Sequence, residues 1–368
     1  MVKVGHGFER VTLKDVANAS GFSVNTVSAV LNDRRKTERV GEKTAQHILK
    51  IAKELGYRRN LAAYQLVGGR TKSLGVLVDL LTNPFAAPIA EAFERETSSA
   101  GYQCLLGCTE YNGLKKVEYI HRFLEFQVEG LLLVTVWLNP DVEEALKEVL
   151  STRTRLIAVD FPWRDYDVPT VCCDHRQGGR LLGQHLHELG HTKILYLATE
   201  RDLGFYSVQE RIAGIQEALE AEADGKCVLE IGETQGYDTH QLGEVAIRYM
   251  KGESPPTALA FSHDINAFVA MKHLESKGYR VPNDVAMVGF DDAQYELFHP
   301  FRVEGVQPTE VPITTVRQPL REIGAEAARQ MMRAIEKPDE ASSGITALEV
   351  ELVVRASSTL PEWARNGR

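Results

Sequence analysis

The sequence lacks any apolar run long enough to cross a membrane. Its longest strongly apolar stretches, such as Gly130 to Leu138, fall far short of the roughly 20 residues that a membrane-spanning helix needs. The amino-terminal residues contain no apolar core of a signal peptide. The chain has only five cysteines in 368 residues, which does not suggest a disulfide framework. These absences predict a cytoplasmic protein with reduced thiols and no membrane association.

Cofactor and metal motifs are also scarce. The first predicted strand is followed by Asp79 to Thr82, where a dinucleotide-binding fold would have a glycine-rich turn. Residues His187 to His191 match the H-E-x-x-H zinc pattern, but Gly190 reads as a helix stop, which would keep the two histidines off one helix face. Cys172 and Cys173 have no second pair at zinc-finger spacing. We therefore expect no cofactor, no metal and no enzymatic activity.

Charge is distributed unevenly along the chain. Residues 1–72 contain 14 basic and six acidic side chains, a net charge of +8, whereas the remainder has a net charge of −17. The chain is long enough for two or three folding units. A basic head on an acidic body predicts that the head meets a polyanion and that the body does not.

The basic head has the pattern of three short helices. Thr12 and Asp15 form a capping-box signal before a first helix, Gly21 supplies a turn, and Ser23 can cap a second helix. A third amphipathic helix has its apolar residues at helical spacing: Ala45, Ile48, Leu49, Ala52 and Leu55. This pattern fits a helix-turn-helix, and periodicity alone also fits a generic three-helix bundle.

The sequence of the basic head resembles that of a known family. The stretch VTLKDVANASGFSVNTVSAVLND, continuing to AKELGYRRNLAAYQL, is similar to the DNA-binding head of the LacI/GalR family of bacterial repressors. The resemblance implies a helix-turn-helix domain over residues 10–59 and a hinge helix with linker over 60–72. It also implies these DNA-binding residues: Thr12, Val24, Asn25, Thr26, Ser28, Ala29, Asn60, Ala63 and Leu66.

The resemblance, together with side-chain chemistry, implies roles for residues of the second helix. Asn25 can bond bidentately to adenine and Val24 can contact a thymine methyl group, whereas Thr26 and Ser28 match hydroxyls that hold phosphates. Ala29 stands where many family members have an arginine that reads guanine, so we expect it to offer only an apolar contact. By the resemblance, Leu66 in the hinge helix is the wedge inserted into the central base step.

From residue 74 onward, apolar runs alternate with amphipathic helices. The predicted strands are 74–78, 102–106, 130–134, 155–159, 193–198, 258–261, 285–290 and 313–316. Runs that are apolar on both faces indicate parallel sheets covered by helices, arranged as one large sheet or two smaller ones. The family resemblance implies two lobes similar to periplasmic sugar-binding proteins, within residues 73–360. Lobe 1 is expected at about 73–172 and 306–337, and lobe 2 at about 173–305 and 338–360.

The resemblance also implies an effector site between the lobes, at the carboxyl ends of strands. Asp291 matches an aspartate that bonds ligand hydroxyls or amines, and Arg211 matches a ligand-binding arginine. His263 stands where asparagine is frequent. The expected effector-binding residues are completed by two aromatic walls and a crossover glutamine: Phe85, Trp163 and Gln318.

Together these patterns predict a homodimeric transcriptional repressor. Two heads are expected to bind pseudo-palindromic double-stranded operator DNA, and a small-molecule effector, expected to be a carbohydrate, is expected to control operator affinity. One alternative is a free-standing sugar-binding receptor, which the basic head disfavours. The other is a zinc hydrolase, which depends on the HELGH histidines.

Overall fold

The chain divides into two compact units. The computed structural model describes residues 11–32, 40–58, 70–134, 138–222, 227–234, 241–292 and 313–358. One unit comprises Met1–Thr71 and the other Lys72–Arg368. The expected hinge residues Asn60, Ala63 and Leu66 lie outside the described residues. No helix in the described ranges is long and apolar enough to span a membrane.

The head unit contains the three predicted helices: α1 (Leu13–Ser20), α2 (Val24–Leu31) and α3 (Glu42–Glu54). The predicted capping box is confirmed, because the Asp15 carboxylate accepts from the Thr12 amide at 2.8 Å and the Thr12 hydroxyl accepts from the Asp15 amide. Gly21 ends α1 with φ 74°, a left-handed conformation that favours glycine. The turn between α1 and α2 is therefore built from local chemistry.

A small apolar core holds these three helices together. Its buried members are Val16, Ala17, Val27, Val30, Ala45, Ile48 and Ala52. The prediction for α3 is wrong at Leu49 and Leu55, which are exposed, whereas Ile51 packs partly against the core. The apolar residues of α3 lie on more than one side of the helix, and contact with α1 and α2 decides which side is buried.

The body alternates strands and helices along the chain. Its strands are β1 (Ser73–Val78), β2 (Gln103–Cys108), β3 (Gly130–Val134), β4 (Arg155–Val159), β5 (Thr170–Cys173), β6 (Lys193–Thr199), β7 (Val228–Thr234), β8 (Ala258–Phe261), β9 (Ala286–Val288), β10 (Thr315–Arg317), β11 (Ile345–Leu348) and β12 (Glu351–Val353). Its helices are α4 (Ala86–Ser99), α5 (Gly113–Glu125), α6 (Pro140–Leu150), α7 (His175–Glu188), α8 (Glu200–Leu203), α9 (Tyr206–Glu222), α10 (Gln241–Met250), α11 (Asp264–Ser276) and α12 (Leu320–Glu336).

The strands form two parallel sheets and a short ribbon. The larger sheet has six parallel strands in the order β11-β5-β4-β3-β1-β2, and the smaller has four in the order β7-β6-β8-β9. Strands β10 and β12 pair antiparallel in a separate ribbon. The central strands are almost entirely buried because helices cover both faces. The expected architecture of two parallel-sheet lobes is confirmed.

One part of the expected lobe division needs correction. Residues 338–360 were expected in lobe 2, but β11 pairs parallel with β5, Ile345 opposite Thr170, and so extends the six-stranded sheet. The eight predicted strands do not include β5, β7, β11 and β12. Strand β5 is buried but has only four residues. The other three each border only one neighbour and have several half-buried or exposed residues, so they lack the continuous apolar run of a central strand.

Helices α7 and α9 cross at very close range. A Cβ added at Gly179 would lie 2.1 Å from the carbonyl oxygen of Arg211, and one at Gly214 would lie 2.1 Å from that of Arg176. Only glycine allows this approach of two backbones. Because Arg211 lies on α9, the crossing fixes the position of a predicted site residue.

We predict that Gly179→Ala destabilises the body. The added methyl group meets backbone that cannot move aside, so we expect a loss of roughly 1–3 kcal/mol in the free energy of unfolding. Urea denaturation of both variants measures this, with Gly252→Ala as the control, because the nearest atom to a Cβ there is 3.2 Å away at an exposed turn. Equal losses in the two variants would contradict the close crossing.

Candidate functional site

The second head helix presents polar and apolar side chains on one surface. Val24 is 43% exposed and Asn25 is exposed at the start of α2, whereas Thr26 and Ser28 are half-buried. The Ser23 hydroxyl caps the helix by accepting from the Thr26 amide at 3.1 Å. The side chains of Val24 and Asn25 are thus available to a partner.

Two other predicted head residues have local partners. The Thr12 hydroxyl donates to the Asp15 carboxylate at 2.7 Å, and the Ser28 hydroxyl accepts from the side-chain amide of Asn32 at 3.0 Å. Ala29 conflicts with the prediction, because its methyl group is buried, only 2% exposed, among the head residues. A side chain this short does not extend past its neighbours, so Ala29 has no surface for the expected contact with a base.

A buried carboxylate organises the site in the body. Asp291 lies just beyond β9, with φ 119°, at the carboxyl edge of the four-stranded sheet. Its oxygens accept from the Gln318 side-chain amide at 2.7 Å and contact His263 Nδ1 at 3.1 Å, and Arg211 Nη2 lies at 3.7 Å. The fold therefore brings together four of the six predicted effector residues.

Arg211 is buried at the centre of this cluster, only 1% exposed. Its Nη1 donates to the Ser262 carbonyl at 2.6 Å, its Nε donates to His175 Nδ1 at 3.3 Å, and its guanidinium lies 3.7 Å above the Phe290 ring. A guanidinium needs such acceptors and a polarisable ring when it is removed from water.

The electrostatics of the cluster favour a charged His263. Burial by itself lowers the pKa of His263, but the Asp291 carboxylate and, more weakly, that of Asp202 outweigh it, so the pKa is raised. The neighbouring Asp264 behaves in the opposite way, because burial and the carboxylates of Asp291 and Asp292 raise its pKa well above the ordinary value. The Thr315 hydroxyl donates to Asp264 at 2.7 Å, which opposes part of this rise.

Sequence reasoning missed two polar residues beside this cluster. His175 Nε2 lies 2.7 Å from an Asp160 oxygen. Asp160 comes directly after β4, and His175 begins α7 two residues after β5. A polar residue immediately after a buried parallel strand was the available signal, since these strand ends meet at one edge.

The two predicted aromatic walls lie elsewhere. Trp163 is buried in a satellite core, with its ring 4.3 Å from that of Tyr166, and Phe85 belongs to the main core with Ile89 and Phe93. The apolar faces of both rings are covered by packing, which the sequence pattern alone cannot distinguish from a ligand wall. A role for either ring in the effector site stays a prediction.

The H-E-x-x-H match has a structural explanation. Helix α7 ends at Glu188, and Gly190 has φ 85°, so His191 lies beyond the helix, with its Nε2 3.3 Å from the Ser358 carbonyl. His187 instead contacts the Cys227 sulfur. Within the described ranges no group of three His, Cys, Asp or Glu side chains is arranged to hold a metal ion.

A helix-turn-helix unit and a two-sheet body with a buried polar site define the class of ligand-responsive DNA-binding regulators. Residues 12–60 match the family model for bacterial regulatory proteins of the lacI family, and residues 184–358 match a periplasmic binding protein-like domain. The transcriptional repressor PurR of Photobacterium profundum is 31% identical over 350 residues, covering 94% of this chain and 98% of that protein.

Two solved structures are similar over the same length. The lac repressor dimer bound to operator and the anti-inducer ONPF has a TM-score of 0.75 and 25% identity, covering 95% of this chain and 100% of that one. The transcriptional regulator CelR in complex with cellobiose has a TM-score of 0.63 and 27% identity, with the same coverage. The chain belongs to the lacI family of bacterial regulatory proteins. It is a DNA-binding transcriptional regulator and not an enzyme.

We predict a pH-dependent stabilisation from the His263–Asp291 pair. Because the folded-state pKa of His263 is raised, its contribution is complete below the unfolded pKa near 6.5 and is lost as pH rises through the folded value. His263→Asn keeps a donor but removes the charge. Urea unfolding of wild type and variant should show a larger stability gap at pH 6 than at pH 9, whereas a constant gap would exclude an ion pair.

Proposed function

We propose that the chain is a cytoplasmic homodimeric repressor whose operator affinity responds to a carbohydrate bound at the Asp291 cluster. The observation that carries the effector proposal is the buried carboxylate itself, surrounded by donors from His263, Gln318 and Arg211. The dimer and the operator are supported by the lac repressor structure, which is a dimer on operator DNA.

The chemistry of the cluster suits a polyhydroxylated ligand. Each sugar hydroxyl can donate to a carboxylate and accept from an imidazolium, amide or guanidinium, so it can replace the contacts among Asp291, His263 and Arg211. The relative solved with cellobiose supports this ligand class, and purines, which also occur as effectors in the family, are the comparison to test.

In the head, we assign base reading to the exposed start of α2. Val24 and Asn25 are the side chains that can reach base edges, and Thr26 and Ser28 are placed for phosphates. The hinge residues Asn60, Ala63 and Leu66 are proposed to enter the minor groove.

Selection from a random duplex library with the full chain should enrich one pseudo-palindromic site. Asn25→Ala should lose about 1–3 kcal/mol of discrimination at one base of each half-site without changing the salt dependence, because a base contact displaces no phosphate counterion. The matched control is Asn18→Ala, an exposed asparagine on α1. A lower salt slope with unchanged base preference would instead assign Asn25 to the phosphates.

Thermal-shift screening of the full chain against monosaccharides, disaccharides and purine bases tests the effector. A saccharide should raise the melting temperature, and calorimetry should show that Asp291→Asn weakens its binding by about 1.5–3 kcal/mol, the value of a hydrogen bond to a charged group. Asp284→Asn is the control, since Asp284 pairs with Arg280 at the surface. A response to purines alone would contradict the carbohydrate proposal.

A further inference from the structure

His175 connects the two sheets of the body through its two ring nitrogens. Its Nε2 lies 2.7 Å from Asp160, which follows strand β4 of the six-stranded sheet. Its Nδ1 accepts from Nε of Arg211, on helix α9, at 3.3 Å. Arg211 in turn contacts Asp291, beyond strand β9 of the four-stranded sheet. The imidazole is thus the middle member of a polar chain from one sheet to the other.

The neighbours of His175 determine which nitrogen carries the proton. The Arg211 Nε–H can only donate, and the Cys173 sulfur lies 3.2 Å from the same Nδ1. Burial raises the pKa of Cys173 well above its ordinary value, so this thiol keeps its proton and also donates. Two donors therefore converge on Nδ1, which must be an unprotonated acceptor.

The opposite nitrogen must then carry the proton. At 2.7 Å, Nε2 and the Asp160 oxygen would repel each other as two lone pairs, so Nε2 carries the proton, and the two groups are in close polar contact without the alignment of a hydrogen bond. Burial raises the pKa of Asp160, whereas the positive charges of Arg211 and His263 act to lower it. The aromatic rings of Tyr206 and Phe290 also lie near the imidazole, with centroids 6.2 and 6.1 Å from that of His175.

We propose that His175, as the neutral imidazole protonated on Nε2, is a positioning residue that fixes the Arg211 guanidinium relative to Asp160. Its functional meaning rests on the proposed effector site, because Arg211 is a member of that cluster. Movement of β4 against α9 would separate His175 from either Asp160 or Arg211, and in the second case Arg211 would lose an acceptor. The geometry thus links the arrangement of the sheets to a ligand-binding side chain.

Two substitutions of His175 test its contacts with Arg211 and Asp160 one at a time. The side-chain amide of asparagine takes the place of Nδ1, and that of glutamine takes the place of Nε2. His175→Asn can still accept from Arg211 but cannot reach Asp160, and His175→Gln does the reverse. Nitrogen-15 NMR of arginine side chains in the full chain measures hydrogen exchange of the Arg211 Nε–H. The signal is assigned by its loss in Arg211→Lys, and no effector is needed.

We expect His175→Gln to accelerate this exchange at least tenfold and His175→Asn to retain the protection. The control His191→Gln changes another fully buried histidine, outside the cluster, and should leave the exchange unchanged. Nitrogen-15 histidine spectra at pH 7 should show His175 protonated on Nε2 alone.

Equal acceleration in both His175 variants would reduce the residue to a packing role and overturn the proposal. A proton on Nδ1, or on both nitrogens, would overturn it as well. A chain that binds no saccharide but shows the expected exchange pattern would contradict the carbohydrate effector and leave the positioning role of His175 standing.

Discussion

The burial of the Asp291 carboxylate is the constraint on which the site depends. An ionised carboxylate removed from water is costly unless donors surround it, and removal of one partner leaves the others uncompensated. Its donors come from three separate segments, with Arg211 on α9, His263 at the start of α11 and Gln318 after β10. Each segment must therefore place a donor or a positive charge within 3.7 Å of one carboxylate, and the folded body is arranged around that point.

The same constraint explains how a ligand can influence a distant part of the molecule. Without a ligand, the charged groups of the cluster satisfy one another. A hydroxyl that replaces one of these contacts obliges the remaining groups to find new partners, and by linkage any resulting change in operator affinity must be matched by a change in ligand affinity. Asp292, next in sequence, bonds Arg317 and Arg355, each at 2.8 Å, on segments that run between the sheets. The proposed ligand site and these connecting segments thus share adjacent residues.

Sequence reasoning succeeded where the cause was local or the pattern was strong. The Thr12–Asp15 capping box and the Gly21 turn involve residues at most a few positions apart, so their geometry is nearly independent of the rest of the chain. Asp291, Arg211, His263 and Gln318 were identified by resemblance, and the fold brings them together. The role of Trp163 stays a prediction, because an aromatic residue in a loop can face a cleft or a core, and only packing decides between them.

The sequence by itself determined the basic head, the capped helices and the alternation of apolar strands with helices, because charge and hydrophobic periodicity act over short distances. Tertiary structure alone decided the pairing of β11 with β5, the burial of Ala29 and the position of His175 between Asp160 and Arg211. Edge pairing and polar contacts between residues far apart in sequence depend on how whole sheets are placed, and no local pattern in the chain carries that information.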